Sequence, residues 1–234
     1  MKIGIFGDSY ANYNLDYYWL DLAWPQKLAQ IHEVTNFGQV GSAFQRSYEL
    51  FLKEKDKFDL SIVVVAEPTR VYIKALEEIP NRPVGDFFAS INHINAFRKI
   101  TTDEKVLKIL DSVEVWYRDW RDHRFEFHIH NLMVDNLLKH DNLLLIPGAP
   151  DSINGYQGLY KNLRDIQFWE LQQIDSNFNY LEMVCKRKCH FSDENNQVLF
   201  NLVLEAINGN KKILDLDITR FKKPSREISY YAVN

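Results

Sequence analysis

The run Leu60-Ser61-Ile62-Val63-Val64-Val65-Ala66 constrains the fold more than any other stretch of the chain. It is nearly continuous, β-branched and apolar, the pattern of a strand covered on both faces rather than one that alternates between core and water. Pro68 ends it. Helices must then cover both sides of the sheet that holds this strand. Three further short segments read as strands: the apolar run Lys2 to Phe6, then Glu33 to Phe37, and the apolar run Leu143 to Ile146. Each stops at a turn signal, respectively Gly7-Asp8-Ser9, Gly38 with Gly41, and Pro147-Gly148.

Between these runs the spacing turns helical. Trp24 to Ala29 opens a helix with Pro25 in its tolerant first turn. From Ser42 to about Lys55, residues Phe44, Tyr48, Phe51 and Leu52 share a face. Thr102 to Lys139 reads as helix in two pieces, and Ser192 to Asn208 as an amphipathic helix. Ser192 suits its N-cap, Asp193 and Glu194 suit the positive helix end, and Gly209 stops it. After a loop marked by Pro80, Pro83 and Gly85, Phe87 to Arg98 is expected to form a short helix. The tail from Asn210 is mixed and polar. The alternation predicts an α/β fold, an open parallel sheet with both faces covered. We expect a single domain over 1–234, with 71–101 and 151–185 as less regular insertions and 210–234 as a tail.

Composition agrees and narrows the function classes. Of 234 residues, 46% are hydrophobic and 26% charged, enough for a sizeable core and unlike a disordered or collagen-like chain. A net charge of −4 argues against a dedicated nucleic-acid binder. No apolar run approaches the ~20 residues that span a bilayer, and Met1 to Gly7 is too short for a secretory signal, so a cytoplasmic protein is expected. The only cysteines, Cys185 and Cys189, offer no disulfide framework. Followed by His190 they form a weak zinc pattern, more often a pair of small buried hydrophobes. His128 and His130 would face one way on a strand but diverge on the helix predicted there, so no metal is expected. Gly4 to Asp8 lacks the dinucleotide-binding spacing, and no cofactor is implied.

In an open parallel sheet the ligand site lies outside the carboxyl ends of the strands. Three such ends carry unusual residues: Gly7-Asp8-Ser9, Gly38 to Gly41, and Ala66-Glu67-Pro68. A serine on a tight turn after a buried strand is presented at the sheet edge, where its hydroxyl can attack and its own N–H can hold an oxyanion. Asp8 and Ser9 also fit as turn and cap residues alone. Gly41 can bring a bare backbone N–H close to a ligand, or simply turn the chain. His190, just before the last capped helix, is held where it could act as general base. A lone histidine there also fits a satisfied structural residue.

Together these pieces, in this order, resemble the SGNH (GDSL-type) hydrolase family: Gly7-Asp8-Ser9, Asn36 to Gly41, His190 before the last helix, and Trp24 to Ala29 as the first helix. The resemblance spans residue 3 to about 208. It implies a three-layer α/β/α sandwich with a flavodoxin-like parallel sheet, and activity on esters, most simply a small acyl ester or an acylated carbohydrate. It implies Ser9 as nucleophile, His190 as base, and the N–H groups of Ser9 and Gly41 as oxyanion donors. Two positions depart from the family pattern. The third motif, which supplies an oxyanion-hole asparagine, reads Ala66-Glu67-Pro68-Thr69-Arg70 here. A carboxylate such as Glu67 cannot donate to an oxyanion unless protonated, and Arg70 or Thr69 is the substitute donor. The aspartate expected three residues before the histidine is Arg187, which leaves Glu67, less directly Asp193, or a backbone carbonyl in a Ser–His dyad to orient His190. Glu67 and Arg70 also read as a structural ion pair, or as a grip on an anionic substrate group. The rivals to hydrolysis are a binding or structural module on the same fold, and an acyltransferase using the same Ser9 and His190.

Overall fold

The computed structural model describes residues 1–12, 22–39, 41–73, 87–88, 91–149, 152–153, 163, 191 and 193–221. In chain order the elements are β1 (Lys2–Phe6), α1 (Trp24–Ala29), β2 (Glu33–Asn36), α2 (Phe44–Glu54), β3 (Leu60–Val65), β4 (Val71–Tyr72), β5 (Phe87–Phe88), α3 (Ile91–Ile100), α4 (Glu104–Asp119), α5 (His123–Leu137), β6 (Leu143–Pro147) and α6 (Asp193–Asn208).

Four strands form one sheet in the order β2-β1-β3-β6, every neighbouring pair parallel. The period of two along each strand sorts the core into two halves. Ile3, Ile5, Ile62, Val64, Leu144 and Ile146 face α1 and α6, packing with Trp24, Leu28, Leu199 and Val203. Phe6, Val63, Val65, Leu143 and Leu145 face α2 and α5, packing with Phe44, Phe51, Val134 and Leu137. The chain is therefore an α/β protein of three layers, helix on sheet on helix. Gly4 lies on the second face, where a Cβ would stand 2.6 Å from the Phe58 ring, so the glycine makes room for that ring.

Local chemistry sets the helix limits. Asp103 caps α4 by accepting from the N–H groups of Lys105 and Val106, and Asp122 caps α5 by accepting from those of Arg124 and Phe125. The second cap divides the long helical stretch of 102–139 into the two expected pieces. Asn196, fully buried, ties α1 to α6: its Oδ1 accepts from Trp24 N–H at 3.1 Å and its Nδ2 donates to the Phe191 carbonyl at 3.3 Å.

Two expectations are corrected. Phe87–Phe88 is not the start of a helix but a short strand, paired antiparallel with Val71–Tyr72, and the helix begins only at Ile91. Two adjacent aromatic residues suit a strand as well as a helix, and their distant partner decides. α3 then packs on α4 through Ile94, Phe97, Val106, Leu110 and Val113, a small satellite core. The segment after Asn210 is also more than a polar tail. Ile213 bridges to Leu145 in parallel, and Leu214, Leu216 and Phe221 are buried in the core on the α1/α6 side of the sheet. The backbone bonds run from Leu145 N–H to the Lys212 carbonyl and from Leu214 N–H to the Leu145 carbonyl, both 2.8 Å. Leu214-Asp215-Leu216-Asp217 alternates with the period of a strand, a signal masked by the flanking lysines. Among the described residues no helix is long and apolar enough to cross a membrane.

Candidate active site

β1 is central, with β2 on one side and β3 on the other, so the strand order reverses beside it. The turn after β1 therefore opens at the topological switch point, where open α/β sheets bind ligands. Gly7 begins this turn because no side chain fits: a Cβ would lie 2.8 Å from both the Ala11 Cβ and the Val64 Cβ. Asp8 follows with 1% of its surface exposed. Its Oδ1 accepts from Tyr10 N–H at 3.0 Å, and its carbonyl accepts from the N–H groups of Ala11 (3.0 Å) and Asn12 (3.1 Å). Asp8 thus holds the turn from both its side chain and its backbone, as a short Asx residue does. Ser9 sits inside this frame and is itself buried.

The loop after β2 is sewn onto the same turn. Gln39 N–H donates to the Gly7 carbonyl at 3.0 Å, and Asn36 Nδ2 donates to the Ala11 carbonyl at 2.8 Å. Asn36 Oδ1 accepts in turn from Gly38 N–H at 2.7 Å. Gly38 passes so close to the β1 turn that a Cβ would meet the Ala11 carbonyl carbon at 2.7 Å and the Asn12 nitrogen at 2.8 Å. Gly41 adopts φ 68°, a left-handed conformation that glycine accepts without strain. Sequence reading noticed the two glycines. It missed Asn36 as the staple, although an asparagine at a strand end before Phe37-Gly38 is a recognisable turn signal.

One guanidinium joins the three strand ends. Arg70 donates from Nη1 to Asp8 Oδ2 at 2.6 Å and to the Ser42 carbonyl at 3.3 Å, and from Nε to Glu67 Oε1 at 3.0 Å. The expected pairing of Glu67 with Arg70 is present, with Asp8 as a further partner that spacing did not reveal. The contacts span the turn after β1, the residue following Gly41, and the loop after β3. Charge-assisted bonds in so buried a setting hold geometry firmly.

His190, Cys185, Arg187 and Cys189 lie outside the described residues. Phe191 is described and fully buried. Its ring packs on that of Tyr10 with centroids 5.8 Å apart. The neighbour of His190 in the chain is thus fixed against the neighbour of Ser9. Asp193 is the first residue of α6. The other histidine pair is separated by the helix as expected: His128 is exposed on α5, whereas His130 is buried with Nε2 2.6 Å from the Ser152 carbonyl. Burial pushes the His130 imidazole down to about 4, because the charged form loses its hydration. No group of three potential metal ligands occurs among the described residues.

No protein-family model and no curated protein matches the chain. The crystal structure of the lipase/acylhydrolase from Enterococcus faecalis is similar to it at 17% identity, over 96% of this chain and 98% of that one, with a TM-score of 0.34. At that level the likeness assigns no function.

Proposed function

We propose that this protein is a serine hydrolase acting on an acyl ester, with Ser9 as nucleophile and His190 as general base. The observation that carries this reading is the contact between Tyr10 and Phe191, because it ties the chain positions next to Ser9 and His190 to one another. Ser9 follows the central strand at the switch point, the usual address of chemistry in such sheets.

In the proposed reaction the Ser9 hydroxyl attacks the ester carbonyl carbon as its proton passes to His190. The oxyanion forms beside the N–H groups of Ser9 and Gly41. The intermediate collapses, the C–O bond to the alcohol breaks, and His190 returns its proton to the leaving oxygen. Water then attacks the acyl-serine, again giving a proton to His190, and the acid leaves as Ser9 recovers its hydrogen.

Arg70 has no part in the oxyanion hole in this reading. Its Nη1 and Nε already serve Asp8, Ser42 and Glu67, so it is a positioning residue for the Asp8-Ser9 turn. Asp8 is likewise a holder of the turn rather than a base, since its oxygens accept from Tyr10 N–H and from Arg70. A hole lacking one side-chain donor loses roughly 10²–10³ in rate, so slow turnover is expected. The test is a panel of short-chain and acylated-sugar esters against wild type and Ser9→Ala. Release of acid by the wild type alone supports the reading, and equal rates for both proteins refute it.

A further inference from the structure

We infer that α5 carries a self-complementary surface through which two copies of this chain pair antiparallel about a twofold axis. The observations are independent of the hydrolase reading. Along α5, Phe125 is 61% exposed, Ile129 37% and Leu132 50%. Their spacing of four and then three places them on one stripe. The stripe lies on the opposite side of the helix from His130, Val134 and Leu137, the buried residues of α5. Trp120, two residues before the N-cap, is 75% exposed at the same end as Phe125. Large apolar side chains exposed along one stripe of a helix mark a candidate binding face.

The charges around the stripe choose the occupant. Arg124 and Asp135 are both exposed and lie 11 residues apart, about 16 Å along the helix, too far to reach one another within one copy. Neither has an ion-pair partner among the described residues. In an antiparallel pair related by a twofold, Arg124 of one copy meets Asp135 of the other, and the contact occurs twice. The axis that pairs them passes at position 129.5, midway between 124 and 135. The axis that sets Phe125 against Leu132 passes at 128.5, midway between those two. One axis beside Ile129 therefore satisfies both the apolar and the ionic pairing to within a single residue. From 118 to 135 the segment has three arginines and four carboxylates. That balance suits a self-complementary protein contact and not an anionic membrane, which would call for a basic excess.

Two helix faces make an interface below the standard size, so a dissociation constant on the order of 10 µM is expected. Sedimentation equilibrium on the full chain, up to roughly twenty times that value, tests the proposal. Wild type is expected to reach the dimer mass, and Ile129→Glu to remain a monomer with an unchanged circular dichroism spectrum. Arg124→Asp is expected to weaken pairing about 10-fold or more, and Arg124→Asp with Asp135→Arg to restore it to within about threefold, as coupled positions should. That restoration guards against a folding artefact, because both changes lie on the exposed face. A wild type that stays monomeric throughout overturns the proposal, as does a dimer indifferent to Ile129→Glu and to the charge reversal. Monomer that floats with phosphatidylcholine–phosphatidylglycerol vesicles, and loses this with Leu132→Glu, overturns it in favour of a lipid surface.

Discussion

The Phe191 ring rests on the Tyr10 ring with centroids 5.8 Å apart, so residues distant in sequence hold each other beside the turn after the central strand. If His190 works on Ser9, this contact sets their alignment, and alignment errors near 1 Å cost about 10²-fold in rate. Phe191→Leu keeps most of the apolar volume and is expected to cost about 1–1.5 kcal/mol of stability. It is expected to lower kcat roughly 10-fold or more with little change in KM. Steady-state kinetics beside urea denaturation separates the two effects; a kcat unchanged within error would show that the contact is packing alone.

Arg70 binds a carboxylate that is almost wholly buried. Arg70→Met leaves Asp8 charged and unpaired, and is expected to cost about 3–5 kcal/mol. Asp8→Asn in the same chain removes the charge, so the double variant should be clearly more stable than the sum of the two single changes predicts. Urea midpoints for the four proteins complete the cycle. Additive losses would mean that the two side chains do not act as a pair.

Gly38 lies against backbone that cannot swing aside. Gly38→Ala must shift the Ala11–Asn12 segment, with an expected cost of about 1–3 kcal/mol. The same shift moves the turn that carries Ser9, so ester turnover should fall further than stability does. Gly209→Ala is the control, since a Cβ there meets its nearest atom at 3.1 Å at a helix end remote in sequence from the turn. Equal loss of turnover in both variants would contradict the close approach as the cause.

His130 packs on Phe44, ring centroids 4.7 Å apart, and its Nε2 lies 2.6 Å from the Ser152 carbonyl. The folded protein favours the neutral ring, with the group lowered from 6.5 to about 4. The unfolded chain therefore binds the extra proton first as pH falls. Stability from this group is full above about pH 6.5 and is lost progressively toward pH 4. At pH 4.5 the loss approaches about 2–3 kcal/mol. Urea denaturation at pH 7 and 4.5 should show that extra fall in wild type and not in His130→Gln. Parallel pH dependence in the two proteins would exclude His130 as its source.

Three strands of the sheet were legible because they are buried on both faces, and Lys2–Phe6, Leu60–Val65 and Leu143–Pro147 therefore stand out as apolar runs, whereas β2 is an edge strand that alternates exposed and half-buried residues. The strand ends were legible from Gly7, Gly38 and Gly148, although β6 runs one residue further than expected and takes in Pro147. Phe87–Phe88 and Ile213 were not, because such short pairings depend on partners elsewhere in the chain, here Val71–Tyr72 and Leu145. At the candidate site, residue types pointed to Asp8, Ser9, Glu67 and Arg70. Only the fold shows that Arg70 reaches back 62 positions to Asp8, since no spacing rule encodes a contact across a parallel sheet. The link from Phe191 to Tyr10 was hidden for the same reason.

The most direct test of the central claim is intact mass after treatment with a fluorophosphonate probe, on wild type, Ser9→Ala and His190→Ala. An activated serine predicts one adduct on wild type and none on either variant. No adduct on wild type, or an adduct that survives Ser9→Ala, would contradict the assignment of Ser9 as nucleophile.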